Sequence, residues 1–126
     1  MLELQLKEMI EKSWDNRDKI NTTTTGEIRT SVEKTLKMLG NGEVRVAERQ
    51  ENGDWNVNQW AKKAVLLSFR LRDMELQKGG PQGGTWWDKV DNKFKDWDES
   101  EWRRKNFRAV PNAVVRDSAF IAENVV

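Results

Sequence analysis

The chemistry open to this chain is set by what it lacks. It has no His, no Cys and no Tyr among 126 residues. Ser-His and Cys-His nucleophile pairs, thiolate nucleophiles, disulfides and zinc sites built on imidazole or thiolate are therefore excluded. Reactions carried by the chain itself would fall to Asp, Glu, Lys, Ser or Thr. Lys62-Lys63 is a solvated face on the ordinary reading, and an anion or partner contact on the other. Arg103-Arg104-Lys105 is a second basic run, with Glu99 and Glu101 close by. Gly79-Gly80-Pro81-Gln82-Gly83-Gly84 has the glycine content of a phosphate loop. It lacks a Gly-Lys-Ser/Thr ending and a preceding apolar strand, so it reads as a flexible loop. Arg108, taken alone, reads as a surface cation in an ion pair. The seven Trp residues are read as large apolar area for a small core, with an aromatic ligand cage as the alternative.

Composition narrows the partners. The 22 basic and 21 acidic side chains leave a formal net charge of +1. Acids are interspersed with bases, which leaves little long-range field for nucleic acid or an anionic membrane. No apolar run reaches membrane-spanning length, and the start MLELQLKEMIEKSW lacks the pattern of a signal peptide. The expectation is a cytoplasmic protein that binds neither nucleic acid nor membrane.

Periodicity supplies the elements that must position any site. Leu2, Leu6, Met9, Ile10, Trp14 and Arg17 recur at helical spacing, with Ile20 close to the stripe, which predicts a helix over 2–20. Thr24 and Glu27 stand three apart, as in a capping box that opens a second helix. That helix carries Ile28, Val32, Leu36 and Leu39 and stops at Gly40-Asn41-Gly42. Alternation around Val44, Val46, Trp55 and Val57, with Asn52-Gly53 between, predicts a β-hairpin over roughly 43–57. Asn58 is a suitable N-cap for the most apolar helix, Gln59 to about Leu71. Asp98 and Glu101 predict a cap for a short helix from Glu99 to about Lys105. From Ala109 the chain can be written in sixes, with Ala109, Val115 and Ile121 at the first position and Ala113, Ala119 and Val125 at the fifth. Such patterning builds the triangular coils of a left-handed β-helix; ordinary edge strands are the alternative.

Taken in order, these blocks resemble the tetrahydrodipicolinate N-succinyltransferase family. Gln59-Trp60-Ala61-Lys62-Lys63-Ala64-Val65-Leu66-Leu67-Ser68-Phe69-Arg70 is similar to the family's central helix, and Gly42-Glu43-Val44-Arg45-Val46-Ala47-Glu48 to its first hairpin strand. Trp87-Asp88-Lys89-Val90 with Lys93-Phe94 resembles a further family segment. Phe107-Arg108-Ala109-Val110-Pro111 leads into Ala113-Val114-Val115-Arg116 and Ala119-Phe120-Ile121-Ala122 as the family leads into its β-helix. Ala61, Asp91 and Asn112 depart from the family's usual residues, and the Gly79–Gly84 loop has no fixed counterpart in it.

The resemblance implies a mainly α fold. A helical domain with one β-hairpin over 1–105 would precede the first coil of a truncated left-handed β-helix over 106–126. It implies succinyl transfer from succinyl-CoA, a co-substrate, to the amino group of acyclic tetrahydrodipicolinate in lysine and diaminopimelate synthesis. No bound cofactor and no metal are implied. The family assembles as homotrimers, and an arginine at the position of Arg108 contacts a substrate carboxylate. The catalytic acid and most CoA contacts would lie beyond Val126, so the chain alone is expected to be inactive. A stand-alone helical interaction module, using exposed Trp and basic patches, is the competing reading.

Overall fold

The computed structural model describes residues 2–126. Helix α1 (Glu3–Asp15) buries Leu6, Ile10 and Ser13, one face at i, i+4 and i+7. The helix predicted over 2–20 is thus shorter. Asn16 leaves helical geometry, and a 3₁₀ turn over Arg17–Lys19 replaces the last helical turn. This tighter turn returns Ile20 to the core beside Leu6 and Ile10, while Met9, Trp14 and Arg17 of the expected stripe are half-buried and Leu2 is exposed. The Arg17 guanidinium closes the end of α1. It donates to the Trp14 carbonyl at 2.9 Å and lies 4.6 Å from the Trp14 ring centre.

Helix α2 (Glu27–Gly40) starts at Gly26, whose φ of 77° and ψ of −149° suit a residue without Cβ. The expected Thr24–Glu27 capping box does not form. Thr24 Oγ1 accepts instead from the Asn21 amide at 3.0 Å. Arg29 gathers the carbonyls of Thr24, Thr22 and Leu71 at 2.6, 2.9 and 3.2 Å, which folds the loop onto the end of the third helix. The other end of α2 follows expectation. Gly42 takes φ +77°, its amide reaches Leu39 O at 3.1 Å and the Glu43 amide reaches Met38 O at 2.9 Å. These two bonds are a Schellman closure.

A Cβ at Gly42 would stand 2.9 Å from the Phe120 ring. Gly42→Ala is therefore expected to lose about 1–2 kcal/mol from the left-handed backbone, with a further loss as Phe120 moves. In a Phe120→Ala background only the backbone part should remain. Thermal melts of the four proteins check this.

Strands β1 (Ala47–Arg49) and β2 (Trp55–Val57) pair antiparallel, with Arg49 opposite Trp55. The Asn52-Gly53 signal marks the turn, but not the two-residue kind. The Gln50 amide bonds Asp54 O at 2.7 Å, the Gly53 amide bonds Gln50 O at 2.9 Å, and only Gly53 has positive φ. That is a three-residue loop with its glycine left-handed. Helix α3 (Gln59–Leu71) spans the predicted residues. Its N-cap residue Asn58 does not cap through its side chain. Asn58 Nδ2 donates to Arg45 O at 2.7 Å and its amide to Val46 O at 2.7 Å, tying the helix to the hairpin.

The core lies where α1, α2 and α3 meet. Leu6, Ile10, Val32, Leu36, Trp60 and Leu67 fill it, and Ala61 and Ala64 are fully buried between helices. Val65 is half-buried and packs against its edge. The expectation that Trp supplies this core holds for Trp60, which is buried in it, and in part for Trp14, which packs against it half-buried; Trp97 and Trp102 are half-buried elsewhere, and Trp55, Trp86 and Trp87 are exposed.

A second hairpin was not expected. Strand β3 (Glu75–Lys78) pairs antiparallel with β4 (Thr85–Asp88), so the mainly helical fold carries two hairpins instead of one. The Gly79–Gly84 segment is their connection. It is tied rather than loose, by Gly80 N–H to Gly84 O at 2.9 Å and Gly84 N–H to Pro81 O at 3.0 Å. The signal was there: glycines flanked by Leu76 on one side and the β-favouring Thr85-Trp86-Trp87 on the other. Helix α4 (Glu99–Lys105) follows, capped by Asp98 Oδ1 on the Glu101 amide at 2.9 Å.

Beyond α4 the backbone turns at 111–112, 117–118 and 123–124, a recurrence of six. Asn106, Asn112 and Asn124 all have positive φ. The chain closes on itself across eighteen positions. The Asn124 amide donates to Asn106 O at 2.7 Å, and Asn106 Nδ2 to Asn124 Oδ1 at 3.2 Å. This segment is strapped to the helices. The Lys93 amide bonds Val115 O at 2.8 Å, the Asp117 amide bonds Asp91 O at 3.1 Å, and Arg72 pairs with Asp117 at 2.9 Å. Arg116 also pairs with Asp88, and that hydrogen bond is the main reason the Asp88 carboxyl is held below its usual range.

Lys93 adds a titratable part to the strap. Its ammonium reaches Gly40 O, at the C-terminus of α2, at 3.1 Å. Burial, then the charge of Lys105, lower its pKa from 10.5, while Asp117 opposes them. Below the lowered value both folded and unfolded chains hold the proton, and the cost of burying the charge is fully felt. Between that value and 10.5 the unfolded chain binds more protons, so this group makes stability rise with pH. Lys93→Met should flatten that alkaline rise. Urea midpoints of both proteins across alkaline pH measure it.

Candidate functional site

The chain leaves α4 through Asn106, in left-handed geometry with its amide on Trp102 O at 3.0 Å. Phe107 then enters a cluster of four rings with Phe94, Trp97 and Trp102. Arg108 follows. Its amide donates to Val125 O at 2.9 Å, so its backbone lies beside the returning end of the eighteen-residue circuit. Pro111 restrains its own φ and disfavours helical geometry at Val110, which keeps this approach extended.

The Arg108 side chain is exposed, and it takes part in none of the ion pairs found among the described residues. The surface ion pair expected of it alone is therefore not made. It lines an open cleft of about 520 Å³ with Glu99, Trp102, Arg103, Asn106 and Val125 among its walls. Arg103 is already engaged, with Nε at 3.1 Å and Nη2 at 2.7 Å from Glu99 Oε1. Arg104 pairs with Glu101. Of the three arginines near the cleft, Arg108 is the one without an acid. A permanently charged planar fork in this state can receive a carboxylate through two parallel hydrogen bonds.

The other candidate residues are placed elsewhere. Lys63 bonds Glu11 at 2.6 Å and joins α3 to α1, so half of the Lys62-Lys63 pair is structural. The Gly79–Gly84 connection closes on its own backbone and forms no phosphate loop. No group of three or more His, Cys, Asp or Glu able to hold a metal occurs among the described residues. Among the described residues no helix is long and apolar enough to cross a membrane. The four-ring cluster escaped sequence reasoning. Its signal was the spacing of Phe94, Trp97, Trp102 and Phe107, which crosses a loop and a helix and so follows no single period.

A helical body that holds Arg108 at an open cleft, without an acid among the described residues, is a domain that can present a cation to an anionic group. Residues 5–71 match the family model described as tetrahydrodipicolinate N-succinyltransferase N-terminal. The chain belongs to this family. It is 61% identical over 122 residues to the 2,3,4,5-tetrahydropyridine-2,6-dicarboxylate N-succinyltransferase of Ruegeria pomeroyi, covering 97% of this chain and 44% of the relative. The protein of that name from Jannaschia sp. is 58% identical over 126 residues, 100% of this chain and 46% of its own. The one from Agrobacterium fabrum is 59% identical over 121 residues, 96% and 43% respectively. The chain thus spans less than half the length of these relatives. None of these matches supports the stand-alone interaction module.

Proposed function

We propose that this chain is the N-terminal part of an enzyme that transfers succinyl from succinyl-CoA to the amino group of acyclic tetrahydrodipicolinate, in lysine and diaminopimelate synthesis. The observation that carries the reading is the family match over 5–71, joined to relatives of that printed activity across nearly the whole chain. The division is a helical domain over 1–105 and the first coil of a left-handed β-helix over 106–126. Turns every six residues and the Asn106–Asn124 bonds, eighteen apart, support that coil. The assembly is a homotrimer in the cytoplasm, the compartment of bacterial succinyl-CoA.

The amine nitrogen bonds to the thioester carbonyl carbon, the C–S bond breaks, and the amine proton passes to a base as CoA leaves as the thiol. This needs neither a metal nor an acyl-enzyme. It needs alignment, proton removal and stabilisation of the oxyanion. In this scheme Arg108 holds a carboxylate of the amine substrate, while the proton carrier and most CoA contacts belong to residues after Val126. Release of CoA thiol tests the reading. The full-length enzyme should release it only when both substrates are present, and the purified 126-residue chain should release none. Turnover by the short chain would overturn the division of labour; no release by the full-length enzyme would overturn the function.

A further inference from the structure

We propose that Trp102 is a positioning residue for Arg108, acting through the four-ring cluster; this rests on the substrate role proposed for Arg108. All six ring pairs among Phe94, Trp97, Trp102 and Phe107 have centres 4.7 to 5.8 Å apart, in tilted or edge arrangements. Trp102 is the hub. The nearest ring to Phe94 is Trp102 at 4.7 Å, the nearest to Trp97 is Trp102 at 4.9 Å, and the nearest to Phe107 is Trp102 at 5.4 Å. The rings come from the loop before α4, from α4 itself and from the residue that precedes Arg108. One side chain therefore ties three pieces of chain together.

The consequence falls on Arg108. Asn106 is held by Trp102 O and by Asn124, Phe107 by its ring, and Arg108 by its amide on Val125 O. Three successive residues are fixed, while the guanidinium itself stays exposed. A long cation on a loose backbone must be ordered when it binds; here the ordering of its stem precedes binding. Trp102 and Phe107 also line the cleft beside Arg108, so the hub doubles as its apolar wall. Loss of Trp102 should release the stem and leave the charge in place.

The test uses steady-state kinetics of the full-length enzyme and amide hydrogen exchange of the 126-residue chain. Trp102→Ala should raise KM for the dicarboxylate amine about tenfold, as expected for a misplaced anchor, with KM for succinyl-CoA unchanged. Trp102→Phe should restore most of the loss. Trp102→Ala combined with Arg108→Ala should be no worse than Arg108→Ala alone. In the short chain, Trp102→Ala should speed exchange at the Arg108 and Asn124 amides and leave α3 protected. If Arg108→Ala leaves KM for the amine unchanged, the substrate role of Arg108 fails, and with it the reason for positioning it. If Arg108→Ala raises that KM and Trp102→Ala does not, or if the two losses add, the positioning role alone is overturned. Should Trp102→Ala not fold, Phe94→Leu takes its place under the same criteria.

Discussion

Replacing Leu67 by Ala is expected to remove about 2–5 kcal/mol of folding stability. Leu67 is fully buried, in the middle of α3, where that helix meets α1 and α2. Its neighbours Ala61 and Ala64 are already minimal side chains with no exposed surface, so little apolar bulk on α3 can move in to fill the space. The loss then combines the transfer of the deleted methyl groups with a cavity that stays open. Domains of this size have roughly 5–15 kcal/mol in total, so the substitution takes a large share. The adjacent residue is the control. Leu66 is 39% exposed, and Leu66→Ala should cost less than about 1 kcal/mol. Urea unfolding of the two variants distinguishes them by their midpoints. Equal losses would mean that α3 is rotated from the face assigned here.

How legible the fold was depended on how local its causes are. Helix α3 could be read residue for residue, because its apolar face repeats at helical spacing and non-helical positions flank both ends. The stop of α2 at Gly42 was legible because one glycine conformation causes it. Helix α1 was overextended because Ile20 lies near its stripe, and a stripe does not report whether the backbone is α or 3₁₀. The Thr24–Glu27 box failed because Gly26 took the N-cap position and Arg29 drew the loop carbonyls of Thr22 and Thr24 to itself, along with that of Leu71 at the end of α3, far away in sequence. The Asn58 cap failed similarly, drawn to Arg45 by the hairpin.

The candidate site shows the same division. Composition removed His and Cys chemistry, and the six-residue pattern after Ala109 pointed to the recurrence of turns. Resemblance alone singled out Arg108, since in the bare sequence it is one cation among 22 basic residues. What sets it apart is the pairing of its neighbours. Arg103 and Arg104 have acids within the same short helix, at i−4 and i−3, while Arg108 lies past the helix end with none. That distinction needs the position of α4 and its left-handed exit, a tertiary fact.

Arg108→Ala in the full-length enzyme should weaken apparent affinity for the dicarboxylate amine, by about 2–5 kcal/mol if the rest of the enzyme covers the open cleft and leaves the carboxylate buried and unpaired. Arg108→Lys keeps the charge and loses the planar fork, so one of the two parallel hydrogen bonds goes with it. It should therefore fall between wild type and Ala. Neither substitution should unfold the protein. The guanidinium is exposed and unpaired, and the bond that holds this residue, from its amide to Val125 O, belongs to the backbone and survives both changes. Succinyl-CoA should bind almost as before, because its contacts lie mainly after Val126 on this reading. The expected signature is thus selective: KM for the amine rises, KM for succinyl-CoA holds, and the melting temperature stays near that of wild type. Varying each substrate in turn, with a melt of each variant, measures all three. A folded Arg108→Ala enzyme with unchanged kinetics toward the amine would return Arg108 to an ordinary surface cation, and the carboxylate would have to be held by residues outside this chain.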